Sequence, residues 1–211
     1  DLAGFDQAKG EEWKIMGLAP YGRRDERLMA LLRRLYRIEG HKLSFATTDV
    51  VREVSAEILR LRPAEALDQG WADLARCGQD VFAEMMEALL SETAARVPSA
   101  NLVLAGGCAL NSSFNGKIAG RHGFGEVFVP SAPADDGNAI GAAWLAHAEA
   151  NPDWRAPKGP LSPYLGSGVS TEALERMQAW EPRLRRLAPG EIAPVTAKLL
   201  TEGKLIGWVQ G

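Results

Sequence analysis

The chain has 211 residues, 46% of them apolar and 24% charged, with a net charge of −3 and a pI near 5.7. That composition is globular and gives no general electrostatic case for nucleic acid or an anionic membrane surface. Two cysteines, Cys77 and Cys108, are too few for a disulfide framework and set a reduced, cytoplasmic location as the expectation; no apolar run approaches the roughly 20 residues of a membrane span, and no signal peptide opens the chain.

The first stretch, "GEEWKIMGLAPYG" (10–22), carries glycines and Pro20 and reads as a structured loop. "DERLMALLRRLYRI" (25–38) places Leu28, Leu31, Leu32, Leu35 and Ile38 at helical spacing, which predicts an amphipathic helix. "HKLSF" is a short strand candidate, and residues 49–61 give a weaker helical pattern. The longest helix is predicted from Trp71 to about Val97, with Leu74, Val81, Met85, Leu89 and Leu90 along one side and Pro98–Ser99 ending it.

A tighter alternation follows. "NLVLAGG" is a strand ending on glycines, "CALNSSFNGKIAG" a helix, "EVFVP" a second strand and "DDGNAIGAAWLAHAEA" a second helix. Strand–helix–strand–helix with short connections predicts an α/β layer with parallel strands. Ligands bind such layers beyond the carboxyl ends of the strands, where the GG and DDG stretches fall. Residues 151–170 are rich in proline and glycine and read as a linker. Beyond them, "TEALERMQAW", "RLRRL", "EIAPVTAKLLTEG" and "KLIGWVQ" predict a fresh helix–strand–helix–strand unit that stops short of completion. Because the chain opens on Asp1 and stops just after a strand-like segment, it is expected to be a piece of a longer protein.

Each chemical signal has a structural alternative. Gly106–Gly107 matches neither the P-loop nor the three-glycine dinucleotide fingerprint. A strand–GG–helix turn either packs strand closely on helix or lets exposed amides meet a phosphate or ribose. Asp135 and Asp136 precede a helix, where one of them is expected to cap it; the other is then free for a cation or a hydroxyl. Lys14 could meet a phosphate or stay solvated. His41, His122 and His147 show no paired metal-ligand spacing. Cys108 is expected to be a small buried residue rather than a nucleophile, and Arg183–Arg186 a solvated strand edge.

Together, "EEWKIMGLAPYG", "LVLAGGCALNSSFNGKI", "VFVPSAPADDGNAIGAAW", "SPYLG" and "GKLIGWVQG" resemble the O-carbamoyltransferases of the nodulation and antibiotic-tailoring type. The resemblance implies an α/β chain: an actin- and hexokinase-like (ASKHA) nucleotide-binding half-domain, related to the tRNA threonylcarbamoyl transferase subunit, followed by the start of a YrdC-like α/β domain. The corresponding boundaries are 1–155, a linker at 156–170, and 171–211.

The implied activity is ATP-dependent O-carbamoyl transfer. Carbamoyl phosphate and ATP give a carbamoyl adenylate in the YrdC-like domain, and the actin-like domain passes the carbamoyl group to a hydroxyl of a small molecule. The resemblance makes Gly106, Gly107 and Asn111 contacts of the adenosine, and places Gly137 and Asn138 beside the phosphate with Lys14 near the same cleft. Asp136 is the implied ligand of a divalent metal, Fe²⁺ in expectation, with Asp135 as the alternative. Such a metal would stabilise charge on departing AMP, and a carboxylate near the acceptor could take its proton; Asp25 is offered as that base. The family's metal-binding histidines and the arginine-rich part of the YrdC-like site lie outside these 211 residues, so the chain alone is expected to be inactive. Two other readings stay open: a sugar or acetate kinase on the same fold, and a non-catalytic nucleotide-binding module.

Overall fold

The computed structural model describes residues 2–61, 67–157, 162, 164 and 168–209. They fall into two units, residues 1–154 and 155–211.

In the first unit, the stretch expected as loop at 10–22 contains helix α1 (Trp13–Leu18) and a 3-10 turn at Ala19–Tyr21. Gly17 is tolerated inside α1 because it is exposed, and Pro20 sits in the opening positions of the 3-10 turn, where its missing N–H costs nothing. Helix α2 (Glu26–Arg33) begins where Asp25 caps it, accepting from the Arg27 and Leu28 amides at 2.8 and 3.4 Å. It ends earlier than its leucine spacing predicts. Tyr36–Glu39 instead forms strand β1, paired antiparallel with β2 (Lys42–Phe45) through a two-residue loop holding Gly40 at φ +59°. Ile38 faces Leu43 across that hairpin, so its apolar side chain serves a strand rather than a helix face.

Helix α3 (Thr48–Leu61) buries Val54 and Ile58, one turn apart. Helix α4 (Leu67–Arg96) has 30 residues, about 45 Å at 1.5 Å per residue, and is the spine of the unit. Its N-terminal half puts Leu74, Cys77 and Val81 into a core shared with Leu28, Met29, Val54 and Ile58. Its C-terminal half puts Leu90 into a second core with Phe114, Ile118 and Phe124. Each fully buried aliphatic or aromatic side chain contributes roughly 1.5–3 kcal/mol. Phe82 meets Phe114 edge to face at 5.9 Å between ring centres. Polar clamps fix the helix packing from outside: Arg33 of α2 grips Glu84 of α4 with two 2.8 Å hydrogen bonds, and Arg34 bridges to Glu53 and Glu57 of α3.

Strands β3 (Asn101–Val103) and β4 (Glu126–Phe128) pair in parallel, as the alternation predicts, with Leu102 opposite Val127. Between them, the segment expected as one helix is broken into a 3-10 turn at Gly107–Leu110 and a one-turn helix α5 (Ser112–Asn115). Side chains compete with the helix there: Asn111 caps α5, and Asn115 donates to the Ala109 carbonyl at 2.7 Å. Gly120, His122 and Gly123 then take positive φ, turning the chain back to β4. Helix α6 (Gly137–Ala150) follows β4 and buries no residue among those described.

The second unit holds α7 (Thr171–Trp180), capped by Ser170, and α8 (Ile192–Thr201). The strand expected at Arg183–Leu187 is not formed, nor is the one expected at 204–210 over its described part, Lys204–Val209, Gln210 lying outside the described residues. A strand needs a neighbour for its backbone groups, and none pairs with these segments among the described residues; Leu205 and Val209 stand fully exposed at 101% and 99%. Arg183 is exposed as expected, but it turns back onto Glu181 rather than lining a strand edge. Much of the 156–170 stretch expected as linker, including part of "SPYLG", and the last two residues lie outside the described residues. No helix among the described residues is long and apolar enough to cross a membrane.

Candidate active site

Three sequence blocks distant in the chain meet around the ends of β3 and β4. The Leu104 amide continues the parallel ladder by donating to the Phe128 carbonyl at 2.9 Å. Two residues on, the Gly106 amide donates to the Pro133 carbonyl at 2.6 Å, joining the GG turn to the loop that leads into Asp135 and Asp136. On the other side, Gln79 of α4 pairs with Asn111. The Ser112 hydroxyl lies 3.7 Å from the Met16 sulfur of α1, which brings the 10–22 block alongside.

The two glycines have different reasons. Gly106 takes φ +95° and ψ 164°, a region essentially closed to other residues; that conformation lets the chain turn sharply off β3. Gly107 is exposed with open space beside it. Its amide and that of Cys108 have no hydrogen-bond partner among the described residues, so this turn offers two free N–H groups to an anion. Cys108, expected to be buried, is exposed; Ala109 takes the buried position next to it.

At the DDG turn, the expected cap is not made. Asp136 occupies the N-cap position of α6, yet its side chain makes no capping hydrogen bond because its backbone is already helical, at φ −60° and ψ −33°. The Asp135 side chain makes no hydrogen bond or ion pair among the described residues, and both carboxylates are exposed. Neither is consumed by the fold. The Gly137 and Asn138 amides are already engaged, donating to the Ala134 and Asp135 carbonyls at 3.1 Å each. A ligand at this turn therefore meets carboxylates and the Asn138 side chain rather than those amides. Gly137 has a packing reason to be glycine: a Cβ there would lie 2.2 Å from the Ala132 carbonyl oxygen.

The other named residues have structural partners. Lys14 is bonded to Glu11 at 2.7 Å and lies over the Phe5 and Trp13 rings at 5.8 and 5.9 Å. The Asp6 backbone amide and then Lys14 hold the Glu11 carboxyl below its ordinary range. Asp25 spends its carboxylate on the cap of α2 and hydrogen-bonds through its own amide to the Cys77 sulfur, at 3.3 Å. Behind the strands, Glu87 of α4 is bonded to Arg121 and His122. Partial burial raises its carboxyl, but those two partners outweigh burial and hold it below the ordinary range. They anchor the turn that delivers Phe124 to the core.

Sequence reasoning passes over Gln79. It is a polar residue on an amphipathic helix, and only its fold-level neighbour Asn111 distinguishes it. Among the described residues, no group of three or more histidine, cysteine or carboxylate side chains is arranged to hold a metal ion.

The family profile described as carbamoyltransferase N-terminus matches residues 2–144. The chain belongs to that family. The matched region contains the whole loop cluster above, from the 10–22 block to the first turns of α6. Nodulation protein NolO of Bradyrhizobium diazoefficiens is 30% identical over 208 residues, which cover 95% of this chain and 37% of the relative. Nodulation protein NolNO of Sinorhizobium fredii is 29% identical over 211 residues, covering 95% of this chain and 30% of the relative. An uncharacterized protein of Methanocaldococcus jannaschii is 28% identical over 223 residues, covering 100% and 35%. The chain thus spans about a third of the length of the curated relatives it matches.

Proposed function

We propose that this chain is part of an ATP-dependent O-carbamoyltransferase, in which the loops after β3 and β4 bind a carbamoyl adenylate for transfer to a hydroxyl of a small molecule. The observation that carries this reading is the Gly106–Pro133 hydrogen bond, which joins the GG and DDG turns within a region matched by the carbamoyltransferase family. It brings together, at one end of a parallel strand pair, two free amides and two uncommitted carboxylates.

The division of labour follows from these groups. The free amides of Gly107 and Cys108 suit the adenylate phosphate, and Asn111 offers a side-chain donor to the adenosine. Asn138 adds a polar side chain beside the carboxylates, and Lys14 reaches this region only by releasing Glu11. In transfer, the acceptor oxygen forms a bond to the carbamoyl carbon, the bond from that carbon to the phosphate oxygen breaks, AMP departs and the hydroxyl proton goes to a base. Asp25 is a poor geometric choice for that base, because its carboxylate is already accepting two helix amides.

The nucleotide-binding fold in this reading is the ASKHA half-domain, and residues 171–211 belong to the YrdC-like unit that makes the adenylate from carbamoyl phosphate and ATP. The setting is the cytoplasm. Asp136, or Asp135 in its place, supplies one carboxylate to a divalent cation such as Fe²⁺. The described residues do not by themselves make a metal site, so no step is derived through the metal.

The test uses a protein of full family length carrying this sequence, with the two half-reactions measured separately. Asp136→Ala is expected to abolish carbamoyl transfer while leaving ATP- and carbamoyl-phosphate-dependent adenylate formation intact. Loss on Asp135→Ala alone reassigns the role by one residue; transfer unchanged in both variants overturns the reading of this turn.

A further inference from the structure

The side-chain amide of Asn111 is held in a way that no capping role requires. Its Oδ1 accepts from the Phe114 amide at 3.1 Å, which caps α5, and also from Gln79 Nε2 at 3.1 Å. Its Nδ2 donates to Gln79 Oε1 at 3.0 Å. A primary amide has two acceptor positions and two N–H donors. Both acceptor positions are therefore filled and one donor is used, leaving one N–H without a partner among the described residues. Turning the amide over would set Nδ2 against the Phe114 amide, a second donor, so the cap fixes which edge of Asn111 accepts, and the Gln79 amide pairs with the edge that remains. Asn111 and Gln79 are both partly buried, and the pair spans 32 residues, from the spine helix to the turn that follows the two glycines.

We propose that Gln79 is a positioning residue of the nucleotide site: with the Phe114 amide setting which edge of Asn111 accepts, Gln79 locks that amide in place by filling its second acceptor position and one N–H, which leaves a single outward donor. Asn111 then selects an acceptor atom on its ligand, such as an unprotonated ring nitrogen or a ribose oxygen, and rejects a donor. The ligand half of this proposal rests on the nucleotide reading above; the amide lock does not.

The experiment follows the asparagine side-chain amide protons of a protein of full family length carrying this sequence, labelled at asparagine, by NMR with AMP as the probe. In the wild type, one Asn111 Nδ2 proton should be protected from solvent exchange and the other should shift on AMP addition. Gln79→Met keeps the stem and removes both hydrogen bonds. It should equalise exchange of the two protons and weaken AMP binding about tenfold, the worth of one ordinary hydrogen bond. Adding it to Asn111→Ala should cause no further loss, because both changes remove one coupled unit. Asn111→Asp keeps the cap and can still accept from Gln79 Nε2 once the Gln79 carbonyl turns away from the second carboxylate oxygen, so it should fold and still lose AMP binding. Additive losses, unprotected Asn111 protons in the wild type, or full AMP affinity in Asn111→Asp would each overturn the proposal. A protected Asn111 proton in a wild type that binds no AMP would overturn the nucleotide reading and the ligand half, and leave the lock standing.

Discussion

Gly22, the last residue of the "GLAPYG" run, is where the structure makes its sharpest demand on a single side chain. A Cβ there would stand 1.8 Å from the Ala72 carbonyl oxygen, 2.3 Å from the carbonyl carbon and 2.8 Å from Arg76 Cβ. The first two obstacles are backbone of α4, which no rotamer change can move aside. Restoring van der Waals contact requires the turn and the helix to part by about 1.5 Å. That separation strains the hydrogen bonds that seat the turn: the Arg23 amide on Asp73 at 2.7 Å, Gln69 on the Tyr21 carbonyl at 3.2 Å and the Asp25 amide on Cys77 at 3.3 Å. Overpacking typically costs 1–3 kcal/mol and one weakened hydrogen bond about 1 kcal/mol more, so Gly22→Ala should cost about 2–4 kcal/mol. For a chain of this size that lowers Tm by about 4–16 °C. Gly17→Ala is the control: nothing lies within 4 Å of its Cβ, inside α1, and it should leave Tm unchanged or raise it slightly. Thermal melts of the three proteins decide the matter. A Gly22→Ala protein that melts within about 2 °C of the wild type would refute the packing argument.

Gly106→Ala meets no atom within 4 Å, so its cost is all backbone, about 1–3 kcal/mol for the conformation at φ +95°; equal urea midpoints for variant and wild type would contradict this. Arg33 hydrogen-bonding holds the Glu84 carboxyl below its ordinary 4.5. A folded value below the unfolded one means the pair stabilises at pH above 4.5 and that this contribution is lost as pH falls through the folded value. Melts of wild type and Glu84→Gln should therefore differ near neutrality and converge in strong acid; a gap that persists in acid would exclude the Arg33 pairing as its cause. Calorimetry of this chain with Fe²⁺ or another divalent ion should show only weak binding, because the described residues hold no cluster of three ligand side chains; stoichiometric submicromolar binding would contradict that.

The parts of the fold that sequence pattern captured are those where one periodicity acts alone. Helix α4 formed near its expected bounds, and β3 and β4 paired in parallel from their expected starts, though each strand stopped short of its expected end. The failures share a cause, which is a contact that local pattern does not encode. The leucine spacing of 25–38 continues past Arg33, but the Gly40 turn makes a hairpin that takes Tyr36 and Ile38 into a strand. The run 108–120 looks helical until Asn111 and Asn115 bond to backbone groups and break it. "KLIGWVQ" (204–210) reads as a strand, and among the described residues nothing pairs with Lys204–Val209. In the candidate site, the glycines and aspartates were legible because they depart from ordinary helix and strand composition. The Asn111–Gln79 pair was not, since nothing in a helix pattern marks which polar residue faces inward.

One measurement bears most directly on the central claim. A protein of full family length carrying this sequence would be given carbon-labelled carbamoyl phosphate, ATP and a panel of hydroxyl-bearing small molecules, with products and nucleotides followed together. The account predicts label in a carbamate ester, released with AMP in equal amount, and no transfer in the Asp136→Ala variant. An unlabelled phosphate ester formed with ADP would contradict it and assign the loops after β3 and β4 to a kinase.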